Sequence, residues 1–151
     1  MQLTRYTDYS LRVLLYLGTK ADGWATITEL AEFHAISRNH LVKVVHQLAR
    51  HGFIHTLRGK NGGMTLARAP GQIRIGDVVR STEPNFDIVE CFNRDTNQCL
   101  LAPDCRLKFI LIEANLAFLA TLDRHTIADA INNKEIVTAL ISTVKLNVTT
   151  S

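Results

Sequence analysis

The sequence predicts a mainly α-helical protein with a small β-wing, namely a winged helix-turn-helix domain followed by a long helix suited to dimerisation. The first part is predicted by a short helix, a tight turn and an amphipathic helix, followed by two β-like runs around a glycine-rich turn. The second part is predicted by apolar periodicity from Pro103 to Arg124. We therefore expect a winged helix-turn-helix domain over 1–83, a cysteine-containing loop over 84–105, and the dimerisation helix with short C-terminal helices over 106–151.

Length and composition limit the classes of protein that fit. The 151 residues suffice for one domain or a small domain with an appendage, and an apolar share of 46% suffices for a core. The most apolar stretch, 109–122, includes Glu113 and Asn115, and the apolar run 13–17 has no cleavage site after it. We therefore expect a cytoplasmic protein with reduced thiols and no membrane partner.

The first two helices have recognisable N-termini. Thr4 is the expected N-cap of the first, and Asp8 precedes Arg12 by the four residues of a helical ion pair. Thr26-Ile-Thr-Glu29 matches the capping box that opens the second helix. The inward positions of the first helix, at three- and four-residue steps, are Leu3, Tyr6, Ser10, Val13, Leu14 and Leu17.

The third helix, from Arg38 to about His51, has the clearest division between an apolar and a polar face. Ser37 is its expected N-cap, and Gly52 follows at the C′ position. A basic amphipathic helix after a short helix and a tight turn is typical of the recognition helix of a helix-turn-helix. The apolar stripe is Leu41, Val44, Val45 and Leu48, while Arg38, Asn39, Lys43, Gln47 and Arg50 lie off it.

Two β-like runs, 53–57 and 64–66, enclose Arg58-Gly-Lys-Asn-Gly-Gly63 and predict a β-hairpin. Turn geometry alone explains the glycines. For Arg58 and Lys60, the preceding helix-turn-helix favours contact with DNA over simple solvation. The charges agree, because residues 1–70 hold nine Lys/Arg against four Asp/Glu (+5), whereas 71–151 hold eight against ten (−2).

The second half of the chain is again helical. A short helix at 77–82 is ended by Pro84. Pro103 is expected at the N1 position of the long helix, with Asp104 in its first turn. That helix has more apolar surface than one small domain covers, so we expect pairing with a second copy, with packing on the first helix as the alternative. Short terminal helices are predicted over 126–131 and 135–141, and a frayed tail over 148–151.

All three cysteines, Cys91, Cys99 and Cys105, lie in one loop with C-x7-C-x5-C spacing. Thiolate suits zinc and iron–sulfur clusters, so the loop is interpreted first as a metal site, one ligand short of the usual four. Buried structural cysteines are one alternative, but the run 93–98 is entirely polar. A disulfide with a spare thiol is the other alternative, and it suits a secreted protein better.

The sequence contains no recognisable motif of an enzyme. Neither glycine-rich nucleotide-binding pattern is present around 58–63, and no C-x-x-C pair exists for dithiol exchange. His40, His46 and His51 share one predicted helix, where contact with DNA or solvent suits them better than catalysis. We therefore predict that the protein is not an enzyme.

Several segments carry a more specific likeness, which covers about residues 1–130. They are Leu3-Thr-Arg-Tyr-Thr-Asp-Tyr9, Ser37-Arg-Asn-His-Leu-Val-Lys43, the wing at 58–63, Ile73-Arg-Ile-Gly-Asp-Val-Val79 and the three-cysteine loop. Together they resemble the family of iron–sulfur winged-helix repressors that includes the NsrR and IscR types. The NsrR type is favoured, because the IscR type has a histidine ligand where this chain has Lys108.

The resemblance implies a homodimeric repressor that binds a palindromic site in double-stranded promoter DNA. Cys91, Cys99 and Cys105 would hold an iron–sulfur cluster, either 2Fe–2S or 4Fe–4S, and attack by nitric oxide would release the DNA. The rival interpretation is a winged-helix regulator stabilised by zinc, or one that responds to iron–sulfur status or redox state. The residues expected to contact DNA are Arg38, Asn39, His40, Lys43, Arg58, Lys60 and Asn61.

Three thiolates leave a further iron ligand to be found. The loop offers Asp95 and Asp104, but Asp104 is already explained as a first-turn helix acid. Asp8 of the partner subunit is the other candidate, because it lies in the family-like Thr-Asp-Tyr segment. A carboxylate binds iron less tightly than thiolate and would leave one iron open to nitric oxide. The alternative for Asp8 is a surface ion pair with Arg12.

Overall fold

The computed structural model describes residues 2–20, 23–59, 62–132, 135 and 139. Along these residues the chain forms six α-helices, one two-stranded antiparallel sheet and two single turns of 3₁₀ helix. The helices are α1 (Arg5–Thr19), α2 (Ile27–His34), α3 (Arg38–Arg50), α4 (Ile75–Thr82), α5 (Arg106–Asp123) and α6 (Ile127–Ile131). The strands are β1 (Ile54–Leu57) and β2 (Gly63–Leu66), and the 3₁₀ turns are Pro70–Gln72 and Glu90–Phe92. The predicted fold class, mainly helical with a β-wing, is confirmed.

Side-chain caps begin the first three helices where the sequence predicts them. Thr4, Thr26 and Ser37 each accept a hydrogen bond from the backbone N–H three residues later, at 3.2 to 3.4 Å. At Thr26 the capping box is complete, because the side chain of Glu29 accepts a hydrogen bond from the backbone N–H of Thr26. These caps satisfy N–H groups that have no partner inside the helix, which is why such short helices have defined ends.

The facing sides of α1 and α3 form the centre of the core. The whole predicted stripe of α3 is buried, and Val13 and Leu14 of α1 are fully inaccessible. Side chains from α2, both strands, α4 and α6 join the same apolar cluster. The core therefore lies mainly in the winged-helix part of the chain, with α6 added from the C-terminal part, and it holds the recognition helix α3 against α1.

The wing has the register expected of a hairpin, in which Ile54 pairs with Leu66 and Leu57 pairs with Gly63. An isolated β-bridge between Ala25 and Met64, which the sequence did not predict, joins the wing to the segment before α2. The N–H of Ala25 donates to the carbonyl of Met64 at 3.0 Å, and the N–H of Met64 donates back at 2.8 Å. This bridge fixes the α1–α2 connection against the wing.

Helix α4 connects the winged-helix half to α5. It begins at Ile75, two residues before the predicted start. Arg80 makes a bidentate ion pair with Asp123 of α5. Its Nη1 and Nη2 donate to the two carboxylate oxygens at 2.5 and 2.7 Å. Gly76 lies directly under this pair, where a Cβ would collide with the Asp123 carboxylate. The absence of a side chain at residue 76 therefore lets the two helices approach.

Helix α5 begins at Arg106, so the prediction of Pro103 at N1 and Asp104 in the first turn is wrong. Consecutive turn hydrogen bonds, Ala102 N–H to Cys99 O and Asp104 N–H to Leu101 O, both at 3.2 Å, keep this segment out of the helix. Cys105 is the N-cap instead. No residue of α5 is buried, and its exposed large apolar side chains are Leu107, Phe109, Ile110 and Leu116.

The C-terminal part of the described chain is short. Helix α6 confirms the predicted helix at 126–131, and Thr126 forms a capping box with Asp129. The predicted helix at 135–141 falls outside the described residues apart from Glu135 and Ala139, and the predicted frayed tail lies wholly outside them. Among the helices described, none is both long and apolar enough to cross a bilayer.

Candidate nucleic-acid interface and metal centre

The exposed face of α3 carries the residues predicted to contact DNA. Arg38, Asn39, His40 and Lys43 are all exposed, whereas the opposite face of the helix is buried in the core. The N-terminal turn of α3 therefore presents two cations, an amide and an imidazole. Side chains of these types read base edges and bind phosphate in the major groove.

Two of these side chains are held by neighbouring helices. The guanidinium of Arg38 donates a hydrogen bond to Thr28 Oγ1 of α2. The ring of His40 lies 6.2 Å from the ring of Tyr9, centroid to centroid, on α1. These contacts of Thr28 and Tyr9 could not be predicted from the sequence, because contacts between helices leave no local pattern.

The wing presents Arg58 at its exposed end. Gly59 has a φ of +115°. The N–H of Gly62 donates a hydrogen bond to the carbonyl of Gly59 at 2.9 Å, which forms a turn between the two strands. A glycine is needed at residue 59, because that φ disfavours any other residue. Lys60 and Asn61, also predicted to contact DNA, lie outside the described residues.

The cysteine loop is shaped by polar side chains that hydrogen-bond to its own backbone. Asn93 Oδ1 accepts from the N–H of Asp95 at 3.0 Å, and Asn97 Oδ1 accepts from the N–H of Cys99 at 3.1 Å. Glu90 Oε1 accepts from the N–H of Gln98 at 2.6 Å. These Asx turns explain why the loop is rich in asparagine and aspartate rather than apolar.

The three cysteines are free thiols, with Cys99 exposed and Cys91 and Cys105 partly buried. Cys91 and Cys99 line one cleft of about 400 Å³ together with Arg94 and Lys108. Within the described part of this single chain, no three His, Cys, Asp or Glu side chains are grouped closely enough to hold a metal ion. The donor chemistry nevertheless fits a metal group bound by thiolates, because thiolate sulfur is a soft ligand that suits zinc and iron–sulfur clusters.

Asp8 makes an ion pair with Arg12, which was one of the two roles considered for it from the sequence. The distance between Asp8 Oδ2 and Arg12 Nη2 is 2.8 Å. Both side chains are about half exposed, at 45% and 46%. In this single chain Asp8 is therefore a surface residue of α1 that is paired with Arg12.

His34 is the last residue of α2 and packs against aromatic side chains. Its ring packs against Phe33 at 4.8 Å and Tyr16 at 5.8 Å between centroids, and its buried Nε2 has no hydrogen-bond partner among the residues that the structure describes. Burial, and then the charge of Arg12, lower the pKa of His34 below its usual 6.5. The ring is therefore a neutral aromatic spacer at neutral pH.

Comparison with known proteins identifies the family to which this architecture belongs. The model of the Rrf2 family, described as iron-dependent transcriptional regulators, matches residues 3–133. The chain belongs to the Rrf2 family. It is 49% identical over 142 residues to the HTH-type transcriptional regulator NsrR of Shouchella clausii, covering 93% of this chain and 95% of that protein. It is 48% identical to NsrR of Bacillus subtilis, with coverage of 93% and 97%.

A solved Rrf2-like fold supports the architecture. The structure of CymR, the global cysteine regulator of B. subtilis, superposes with a TM-score of 0.70 at 24% identity, covering 87% of this chain and 97% of that one. At that identity the match establishes the fold alone. Family and fold together make this Rrf2 protein a transcriptional regulator and not an enzyme, as the sequence predicted.

Proposed function

We propose that this Rrf2 protein is a homodimeric repressor that senses nitric oxide through an iron–sulfur cluster. The cluster, 2Fe–2S or 4Fe–4S, would be held by Cys91, Cys99 and Cys105, with Asp8 of the partner subunit as the further ligand. The chain would work as three parts: the DNA-binding domain over 1–83, the cluster loop over 84–105 and the dimerisation region over 106–151.

The observation that carries the proposal is the position of the three free thiols. All of them lie between α4 and the N-terminus of α5, in a chain nearly half identical to regulators named NsrR. Cys105 is the N-cap of α5, so a group bound to it is attached directly to the proposed dimerisation helix. Similarity to regulators named NsrR would not by itself indicate which residues hold the cluster.

The proposed mechanism uses the connection between the cysteine loop and the DNA-binding half. Thiolates at both ends of the loop would fix α5 relative to α4, and the Arg80–Asp123 pair fixes the other end of α5. When bound, the cluster supplies iron atoms that react with nitric oxide. Without the cluster, the thiolates would no longer hold the loop, and the spacing of the two recognition helices in the dimer would change. A preference of a few kcal/mol for one arrangement suffices to switch occupancy.

The proposal is tested first by what the protein contains. Full-length protein purified anaerobically should be coloured, with iron and sulfide in the preparation. Cys91→Ala, Cys99→Ala and Cys105→Ala should each lose the visible absorption and keep the helical circular dichroism, because none of the three is in the core. A colourless parent that contains zinc would contradict the proposal and favour the zinc-stabilised regulator.

The second test concerns DNA. Selection from a randomised duplex library should give an inverted repeat, as expected for a symmetric dimer with two recognition helices. Asn39→Ala or His40→Ala should alter the selected sequence. Failure of the parent to enrich any sequence would contradict the proposed repressor.

A further inference from the structure

Trp24, the only tryptophan of the chain, lies on the surface beside the wing. Its side chain is 41% exposed, although tryptophan is the largest apolar residue. It precedes Ala25, whose backbone pairs with Met64 of β2. The bridge at Ala25 therefore places Trp24 beside β2, on the surface of the wing.

The position of Trp24 follows from the alternation of faces along a strand. Ala25 and Met64 are each only 2% exposed and point into the core, so their neighbours Trp24 and Gly63 are on the outer face. A Cβ built on Gly63 would lie 3.1 Å from Cε3 of Trp24, so the ring lies over the Gly63 backbone. Gly63 pairs in turn with Leu57, which is 58% exposed.

The result is an apolar patch formed by Trp24, Gly63 and Leu57 at the base of the wing tip. Its nearest cation along the wing is Arg58, which directly follows Leu57 and is exposed. Lys20 is engaged elsewhere, since its Nζ pairs with Glu29 at 2.7 Å and donates to the carbonyl of Trp24. The patch itself therefore offers apolar surface rather than charge.

Two features indicate DNA as the occupant of this patch. The patch is continuous with the wing, which is the proposed DNA contact, and it lies in the half of the chain whose charge is +5, from nine cations and four anions over 1–70. Arg58 would hold a phosphate, and the deoxyribose between phosphates is apolar. A DNA backbone thus presents charged phosphates and apolar sugars in turn. A basic side chain next to aromatic and aliphatic ones can contact both.

We propose that Trp24, with Leu57, packs against deoxyribose of the DNA strand that the wing follows. This inference rests on the proposed function. It adds a sequence-independent contact that strengthens binding without adding charge.

Because Trp24 is the only tryptophan, the parent protein reports the contact without a label. The duplex obtained by selection is added to full-length, anaerobically purified protein, and the tryptophan emission and its quenching by acrylamide are followed. The contact predicts an emission change that saturates with binding, and less acrylamide quenching in the complex. Binding measured by anisotropy of labelled duplex, with no change in emission or quenching, would overturn the inference while leaving the proposed function intact.

Variants separate an apolar contact from a charged one. Trp24→Ala should weaken binding roughly tenfold, the loss expected when the exposed part of a tryptophan is no longer buried. The log–log dependence of affinity on salt should keep its slope, since no counterion is released at Trp24. Arg58→Ala should instead reduce that slope by about 1.

The conservative variant controls for folding. Trp24→Phe keeps an aromatic ring and should bind within a few-fold of the parent, with the melting temperature of all variants compared by circular dichroism. Unchanged affinity of a folded Trp24→Ala protein would overturn the inference, as would a change in its salt slope. Absence of any DNA binding by the parent would overturn both this inference and the proposed function.

Discussion

At the residue scale, Asp8 is the position where two roles compete. In the single chain it pairs with Arg12, a helical surface pair worth a few tenths of a kcal/mol. As a ligand from the partner subunit it would complete the proposed cluster site. The ion-pair role and the ligand role predict different effects when Asp8 and Arg12 are replaced separately.

Asp8→Ala should shift the visible spectrum and alter the response to nitric oxide, with the dimer intact, because a cluster ligand is lost. Arg12→Ala removes the same ion pair and is the matched control, so it should leave the spectrum unchanged. Absorption and circular dichroism of the two anaerobic proteins check this. If Asp8→Ala and Arg12→Ala gave the parent spectrum, Asp8 would be only a surface residue.

Glu29 is a second residue whose environment gives a prediction, this time for stability. It accepts a hydrogen bond from Tyr16 Oη at 2.6 Å and pairs with Lys20 at 2.7 Å. Partial burial acts to raise the pKa of Glu29, but the hydrogen bonds from Lys20 and Tyr16 outweigh it, so the pKa lies below its ordinary 4.5. Since the folded pKa is the lower one, the carboxylate stabilises the fold fully above pH 4.5 and progressively less as the pH falls through the folded value.

Glu29→Gln should therefore lower the free energy of unfolding at neutral pH, and its difference from the parent should shrink below pH 4.5. Urea titrations at the two pH values measure this. Glu32→Gln, at an exposed position of the same helix, is the control. It should lower the free energy of unfolding at neutral pH by less than Glu29→Gln does. If Glu29→Gln lowered the free energy of unfolding equally at both pH values, the ionised carboxylate of Glu29 would not be what stabilises the fold.

At the element scale, the contact between α4 and α5 depends on Gly76. Gly76→Ala should destabilise the protein by up to about 1 kcal/mol, because the added methyl group must displace the exposed Arg80–Asp123 pair. Gly71→Ala is the matched control, since its Cβ would meet Ala128 only at 3.9 Å. Denaturant unfolding of both proteins checks the prediction, and equal stabilities would contradict the proposed close approach.

Elements whose signals are local were predicted well from the sequence. Thr4, Thr26 and Ser37 cap the helices they were expected to cap, because capping is decided within four residues. Pro103 misled the prediction, since a proline fits a turn as well as the first position of a helix. The pairing of Ala25 with Met64 could not be predicted, because two residues far apart in sequence leave no pattern in either segment.

At the scale of the whole molecule, α5 is the element that a single chain leaves uncovered. Four large apolar side chains on it are about 60% exposed, among them Ile110, and none of its 18 residues is buried. A second copy would cover this surface, as the sequence predicted for an isologous dimer. Ile110→Glu should therefore give a monomer, which light scattering after size exclusion would detect.

Val42→Glu is the matched control for that prediction. Val42 is also exposed, at 49%, but lies on the recognition helix, so its substitution should leave the dimer intact and weaken DNA binding. A dimer that persists in Ile110→Glu would place the subunit interface elsewhere.

The exposure of the predicted site residues was easier to predict from the sequence than their arrangement. The basic face of α3 was predictable because helical periodicity separates it from the buried stripe. The cysteines were predicted as a donor set from their spacing and polar setting, yet within the described chain they do not converge on one point. In the proposed function, convergence would require the bound cluster and a second subunit, and neither is encoded in a local pattern.

The central claim is that nitric oxide controls DNA binding through the cysteine loop. Its most direct test is an anaerobic titration of the selected duplex, labelled for anisotropy, with coloured protein before and after addition of nitric oxide. The proposed function predicts tight binding before addition, and release of the duplex in parallel with loss of the parent visible spectrum. Binding that is unchanged after the spectrum has been lost, or release by nitric oxide from the colourless Cys99→Ala variant, would contradict it.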